Sequence, residues 1–193
     1  EIIFFMLSVI FNYPAPLLAV QLLWLNLVTE GIQDTALAFE KGEKSALKPR
    51  KTSENIFDKL LIQETVLSGL VMSAIVFIVW VFLMDVFKFD VVTSRSYIIL
   101  LMVFLQNIHV FNCRSELESA FKIPFKNNWF IVLSVIGTMT LQIFASETVF
   151  LDPILKTESV PFLHMIYLFI CSLPMLFVME LFKKYKRGEE HEK

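Results

Sequence analysis

One apolar stretch of the sequence carries polar side chains at helical spacing. Asn26, Thr29 and Glu30 lie within residues 21–34, a run otherwise rich in leucine, valine and isoleucine. Residues three and four apart share one face of an α-helix, and Asp34 would continue that face one turn further on. A carboxylate at the centre of a membrane-spanning helix costs about 2.5–3.5 kcal/mol on insertion scales, and such residues normally face a bundle interior or a water-filled path. The pattern therefore indicates a buried polar site.

The order of Thr29, Glu30 and Gly31 favours a locally unwound helix. Glycine costs about 1 kcal/mol relative to alanine inside a helix, and irregular backbone at membrane depth is tolerated only where it is buried or lines a cavity. Freed carbonyls, a carboxylate, an amide and a hydroxyl would form an all-oxygen cage, which hard cations such as calcium prefer. We predict that the helix loosens between Asn26 and Gly31 and that Asn26, Thr29 and Glu30 bind a cation.

Two other interpretations fit parts of this run. Asn26, Thr29 and Gln33 alone are typical of hydrogen bonds between membrane helices. Glu30 favours function over packing, because a packing contact does not need a carboxylate. For Asp34, which lies nearer the end of the run, a place at the membrane interface is as good an explanation as a functional one.

Polar residues also interrupt a later apolar run. Gln106 either lines a path or packs, and His109 fits a buried histidine with satisfied hydrogen bonds better than it fits a ligand. Glu180, near the end of the last apolar run, is expected to reach the interface or to pair with the lysines that follow it.

The composition sets the environment of these side chains. Of 193 residues, 56% are hydrophobic and 19% are charged, whereas soluble domains average about 45–50% apolar and about 25% charged residues. Disorder is excluded, because it needs low hydrophobicity and high charge. The net charge of −2 leaves no basic excess for nucleic acid, which is not an expected partner. Cys113 and Cys171 lie in apolar runs and form no disulfide framework.

Apolar runs predict an all-α fold, a polytopic transmembrane helix bundle that forms a single membrane domain over residues 1–193. A membrane-spanning helix needs about 20 mostly apolar residues. The first run is only about half that long, so we expect half a span, then five spans, in a fragment of a larger protein. The expected spans are residues 1–12, 17–39, 60–84, 96–113, 129–147 and 162–182.

Basic residues predict the orientation of the bundle. Residues 40–59, residues 114–128 and the tail after residue 182 hold 14 of the 17 lysines and arginines, and these segments alternate along the chain. By the positive-inside rule they are cytoplasmic. Both ends of the chain would then be on the cytoplasmic side in the intact protein, and residues 40–59 form a cytoplasmic loop.

Residues 14–31, which read PAPLLAVQLLWLNLVTEG, resemble the fifth-to-sixth transmembrane segment of type II P-type cation ATPases, most closely the calcium pumps. Residues 36–40, 47–50 and 151–153 also look like that family. The resemblance covers the whole chain, from the end of the fifth helix through the tenth. It implies the membrane part of an ATP-driven cation pump, with calcium as the transported cation, proton countertransport and a place in the plasma membrane.

The resemblance implies a set of cation ligands. Asn26, Thr29 and Glu30 match the ligands of the sixth helix, and Glu1 matches the glutamate ligand of the fifth. Gln106 falls on an eighth-helix position that is acidic in muscle-type pumps and an amide in plasma-membrane-type calcium pumps. Glu30 stands where calcium pumps have aspartate, so the cage differs by one methylene.

The resemblance also implies what lies elsewhere. The phosphorylation, nucleotide and actuator domains precede this segment in the family, so no residue here is expected to be catalytic or to bind a cofactor, and Mg-ATP would bind only in those domains. The expected partners are the lipid bilayer and the N-terminal part of the same polypeptide. The residues alone leave two alternatives open. One is a secondary transporter or channel subunit that uses Glu30 and its neighbours as the ion path. The other is a membrane scaffold with a cytoplasmic partner on residues 40–59.

Overall fold

In a computed structural model the chain is a bundle of helices, as the sequence predicts. The structure describes residues 1–40, 59–115, 117–148 and 151–191, and these ranges contain no strand. Most of the expected cytoplasmic loop, with the motif at residues 47–50, lies outside them.

The first half of the bundle is built from short and irregular helices. Helix α1 is Ile2–Ile10, α2 is Ala19–Trp24 and α3 is Gly31–Leu37. A π-helix, Leu25–Glu30, joins α2 directly to α3. These three consecutive pieces occupy the expected span at residues 17–39.

The second half contains the long helices. Helix α4 is Lys59–Val81, followed by a π-helical turn at Phe82–Val86, and α5 is Val91–Asn112. Helix α6 is Trp129–Glu147, after a 3₁₀ turn at Phe125–Asn127. Helix α7 is Asp152–Leu155 and α8 is Phe162–His191, with Pro174 inside it. By length and composition, four helices among the described residues can cross a membrane: Lys59–Val86, Val91–Asn112, Trp129–Glu147 and Phe162–Gly188.

Two helix boundaries differ from the apolar runs for identifiable reasons. Helix α5 begins five residues before the expected span, because the Asp90 carboxylate caps it by accepting a hydrogen bond from the Thr93 N–H at 2.7 Å. Helix α8 continues past residue 182 through a tail of lysine, arginine and glutamate, which are good helix formers. Apolarity marks the part of a helix inside the membrane, and the helix itself is longer.

Helix α5 is the centre of the bundle. Its residues from Tyr97 to Leu105 are all buried, and it packs against α8, α4, α6 and the π-helix. Large apolar side chains on the outer surfaces of α6 and α8, such as Leu133, Ile136 and Phe177, are exposed. In a bilayer these exposed side chains face lipid, because the membrane core is as apolar as they are.

Two basic side chains are buried near the end of α5. Lys183 of α8 is fully buried (0% exposed), and its Nζ donates to the carbonyls of Asn112 at 2.5 Å and Ser115 at 2.7 Å, at the end of α5. In the same region the carboxylate of Glu180, which we expected at the interface or beside the lysines, accepts a hydrogen bond from the Ala120 N–H at 2.7 Å. The lysine therefore supplies donors to carbonyls that a helix end leaves unpaired.

Arg114 is the second buried basic side chain. It makes a two-pronged contact with Glu40, at 3.0 Å and 2.9 Å, and the two side chains are only 1% and 12% exposed. It also donates to the carbonyls of Ile123 and Pro124 at 3.1 Å. The chain following α3 is thereby fixed to the segment between α5 and α6.

Candidate cation site

The π-helix lies where the sequence predicts a departure from regular helical structure. The N–H of Gly31 donates to the carbonyl of Asn26, five residues earlier, so the regular pattern to the fourth residue is interrupted between Asn26 and Gly31, as predicted. The backbone does not unwind, however: Gly31 keeps helical angles of φ −59° and ψ −38°. The carbonyls of Leu25 and Asn26 are both engaged, the former by the Thr29 hydroxyl. Fewer backbone carbonyls are therefore available to bind a cation than the sequence predicted.

A cavity of about 250 Å³ lies beside this π-helix, between the start of α1 and helices α3, α4 and α5. The carboxylates that line it are Glu1, Glu30 and Asp34. Its other walls are mostly apolar and include Phe4, Val76 and Leu105. Among the described residues, no three His, Cys, Asp or Glu side chains are grouped so that they could hold a metal ion by themselves. Any cation bound here would therefore also need amide, carbonyl or hydroxyl oxygens, or ligands from other parts of the protein.

The side-chain amide of Gln106 is placed to supply such a neutral oxygen ligand. Gln106 lines the cavity, and its Nε2 donates to Oε1 of Glu30 at 3.1 Å. The Oε1 atom of Gln106 is buried and has no hydrogen-bond partner in the described part of the chain. A buried acceptor without a donor is costly, and a cation would satisfy it. Carboxylate and amide oxygens are the ligands that calcium prefers.

Comparison with known proteins decides the family. The family model described as "Cation transporting ATPase, C-terminus" matches residues 14–185. This chain belongs to the cation-transporting ATPases.

Individual relatives of this cation-transporting ATPase chain include calcium transporters. It is 29% identical over 164 residues to a calcium-transporting ATPase of Bacillus subtilis (strain 168), covering 83% of the chain and 18% of that protein. It is 27% identical over 179 residues to the human calcium-transporting ATPase type 2C member 2, covering 92% and 19%. For the type 2C member 1 protein of Mus musculus the identity is 27% over 188 residues, covering 95% and 20%. The chain spans about a fifth of the length of these curated relatives, and the resemblance drawn from residues 14–31 is confirmed.

The predicted ligands of this cation-transporting ATPase chain divide into two groups. Glu1, Glu30 and Gln106 line the same cavity. Asn26 is exposed, and Thr29 is buried with its hydroxyl donating to the carbonyl of Leu25, and neither lines the cavity. The wider turn of the π-helix changes the angular spacing of side chains, so the α-helical rule that grouped all three ligands does not hold across it.

Other polar residues of the ATPase chain also line the cavity, among them Gln33, Asp34 and His109. Asp34 is four residues after Glu30, and His109 is three after Gln106, so helical spacing alone could have assigned both. The Nδ1 atom of His109 is buried without a hydrogen-bond partner among the described residues, which differs from the satisfied histidine we expected. The cavity thus holds more polar groups than the sequence indicated.

Proposed function

We propose that this chain is part of the membrane domain of an ATP-driven calcium pump and that calcium binds in the cavity beside the π-helix. The observation that carries the proposal is the contact of Gln106 with Glu30 inside that cavity, in a chain of the cation-transporting ATPase family. Glu1 and Glu30 together supply two negative charges, which balance one calcium ion, and Gln106 supplies a neutral oxygen.

Asn26 and Thr29 have supporting parts in this proposal. Asn26 is on the π-helix with its amide exposed and outside the cavity lining, so it would bind calcium only from a different position. The Thr29 hydroxyl stabilises the π-helix by its bond to the Leu25 carbonyl. The ligand set is completed by parts of the polypeptide outside this chain, because the acids described here do not form a metal-binding group among themselves.

Proton countertransport is part of the proposal. Glu1 and Glu30 line a largely apolar cavity, although both side chains are exposed in this chain. Once other parts of the protein cover the cavity, two charged carboxylates left there without a cation would be costly. Binding protons after the cation has gone removes that cost. Protons would then move in the direction opposite to calcium.

The remainder of the pump lies in the rest of the polypeptide. We propose that Mg-ATP binding and phosphorylation occur in domains outside this chain, which would move the helices around the cavity. The protein would be a plasma-membrane protein with residues 114–128 and the segment after α8 in the cytoplasm, as the distribution of basic residues indicates. The family match favours this pump over a secondary transporter or channel subunit.

The test uses the complete polypeptide in sealed membrane vesicles. Phosphorylation by ATP is measured with calcium, manganese, sodium or potassium, alongside uptake of the same ions. We expect calcium to support both, and Glu30→Gln to abolish calcium-dependent phosphorylation by ATP while phosphorylation by inorganic phosphate persists. Glu147→Gln, the same change at an exposed carboxylate outside the cavity, is the matched control. Normal calcium transport by Glu30→Gln would show that Glu30 is not a calcium ligand. A response to sodium or potassium alone would show that calcium is not the transported ion.

A further inference from the structure

A buried hydrogen-bonded group lies next to the cavity and joins three helices. The side-chain oxygen Oδ1 of Asn107 on α5 accepts a hydrogen bond from Gln33 Nε2 of α3 at 2.6 Å. The same oxygen accepts a second bond from the Thr138 hydroxyl of α6 at 2.8 Å. All three side chains are buried. One oxygen atom therefore holds α3, α5 and α6 together inside the bundle.

The two ends of the Asn107 amide are used unequally. Its oxygen receives two donors, whereas its Nδ2 has no hydrogen-bond partner in the described part of the chain. A buried N–H group without an acceptor costs stability, so packing alone does not favour an asparagine here. The acceptor oxygen is the useful part of the side chain.

The residues next to this group are those of the cavity. Asn107 directly follows Gln106, and Gln33 lies three residues after Glu30 and itself lines the cavity. Consecutive side chains on an α-helix are about 100° apart, so a rotation of α5 that broke the Asn107 contacts would also swing Gln106 away from Glu30. The bond from Gln33 fixes α3 in the same way, just beyond Glu30.

We propose that Asn107 is a positioning residue for cation binding, whose side-chain oxygen fixes Gln106 and Glu30 relative to each other through Gln33 and Thr138. This inference rests on the proposed function of the cavity. Asn107 does not itself line the cavity. Groups that orient metal ligands in this way typically change affinity by about 10- to 100-fold when they are removed.

The experiment measures phosphorylation by ATP over a range of calcium concentrations in vesicles that contain the complete polypeptide. Asn107→Leu should raise the half-saturating calcium concentration by about tenfold, with the maximal phosphorylation level per folded protein unchanged. Thr138→Val removes one donor to that oxygen and should also raise half-saturating calcium, whereas Thr138→Ser keeps the hydroxyl and should respond as wild type. Gln142→Leu is the control and removes another buried amide. That amide accepts a hydrogen bond of 3.0 Å from Trp24 Nε1, and neither residue lines the cavity. This control should leave half-saturation unchanged.

Each result bears on one of the two proposals. A wild-type protein without calcium-dependent phosphorylation refutes the proposed function. If wild type responds but Asn107→Leu has wild-type half-saturation, or changes it no more than Gln142→Leu does, the positioning role is wrong. A Thr138→Val variant with the same half-saturating calcium as Thr138→Ser equally refutes the role of the oxygen. If Asn107→Leu does not fold, Gln33→Met breaks the same bond from its other end, and a wild-type calcium response there refutes the proposal.

Discussion

At the level of single residues, Glu30 and Gln106 offer different chemical groups to the candidate site. Glu30 carries charge, whereas Gln106 offers a neutral oxygen and also donates to the Glu30 carboxylate. That donated bond holds one carboxylate oxygen in place, and the other accepts no hydrogen bond within the described part of the chain. Asp34 and His109 extend the polar lining away from this pair.

Gln106→Met tests the neutral half of this pair. The change keeps the size of the side chain but removes both the donor to Glu30 and the free oxygen. We expect half-saturating calcium for phosphorylation to rise by about tenfold, a smaller effect than that of Glu30→Gln. Gln63→Met, the same substitution at an exposed position of α4, should behave as wild type. An unchanged calcium response in Gln106→Met would show that the amide only packs.

Asp34→Asn tests how far the site extends along α3. Asp34 lines the cavity but lies one turn beyond Glu30, so its charge would attract a cation without binding it directly. We expect a rise in half-saturating calcium of less than tenfold, which decreases in high salt because the interaction is long-range. If Asp34→Asn abolishes transport and Glu30→Gln does not, the site is one turn nearer the end of α3 than proposed.

Helix ends and the π-helix decide how the elements fit together. The π-helix joins α2 to α3, Asp90 begins α5, and Arg114 and Lys183 fix the chain beyond the ends of α3 and α5. Each device satisfies backbone or charged groups that would otherwise be unpaired.

Asp90 makes the start of α5 sensitive to acid. The Thr93 N–H bonded to the Asp90 carboxylate lowers the pKa of that carboxyl. Its stabilising contribution is therefore complete above the unfolded pKa, about 3.9, and is lost as pH falls through the lower pKa of the folded state. Thermal unfolding of the detergent-solubilised protein should show the difference between wild type and Asp90→Ala shrinking below about pH 4. A difference that grows with acid would contradict this cap.

Arg114→Met tests the contact between the segment after α5 and the chain following α3. Removing one partner leaves the Glu40 carboxylate, 12% exposed, without its cation, and the free energy of unfolding should fall by about 3–5 kcal/mol. Lys126→Met, at an exposed position of the same segment, should change it little. The double variant Arg114→Met with Glu40→Met should recover part of the loss. If all three variants had the wild-type free energy of unfolding, the ion pair between Arg114 and Glu40 would contribute nothing to stability.

Sequence patterns predict the helices better than they predict the site. The long apolar run at about residues 129–147 corresponds to helix Trp129–Glu147, because a membrane helix must satisfy its own backbone and needs a fixed apolar length. Glu30 and Gln106 are also assigned to one site, through the family resemblance. The contact of Asn107 with Gln33 and Thr138 joins residues 74 and 31 positions apart, which no local pattern encodes. The extra width of the π-helix likewise changes which side chains share a face without leaving a periodic signal.

The whole molecule is a multi-pass membrane bundle around α5 that belongs to a larger ATPase family. Large apolar side chains such as Leu133 and Phe177 are exposed on the outside, and polar side chains such as Gln33, Asn107 and Thr138 are buried within, a pattern that suits a lipid surrounding. Sidedness follows from the loops, because the loop between α5 and α6 and the loop between α7 and α8 are separated by one spanning helix.

Cysteine labelling tests that sidedness. Lys122 and Lys156 are both exposed, in the loop before α6 and in the loop before α8. In a background with Cys113 and Cys171 replaced by serine, an impermeant reagent added outside intact cells should label Lys156→Cys and not Lys122→Cys. Both should react after the membrane is permeabilised. The opposite pattern would invert the proposed orientation.

The buried Lys183 has a consequence for biogenesis. Helix α5 leaves the ribosome well before α8, so the carbonyls of Asn112 and Ser115 have to wait for a donor that is synthesised about 70 residues later. Until α8 inserts beside it, the Asn112 carbonyl at the end of the central helix lacks the buried ammonium group that donates to it in the folded bundle. A chain truncated within α8 before residue 183 would lack that donor even though α5 itself is present in full. The insertion of α8 is therefore the step at which the end of α5 gains its buried donor.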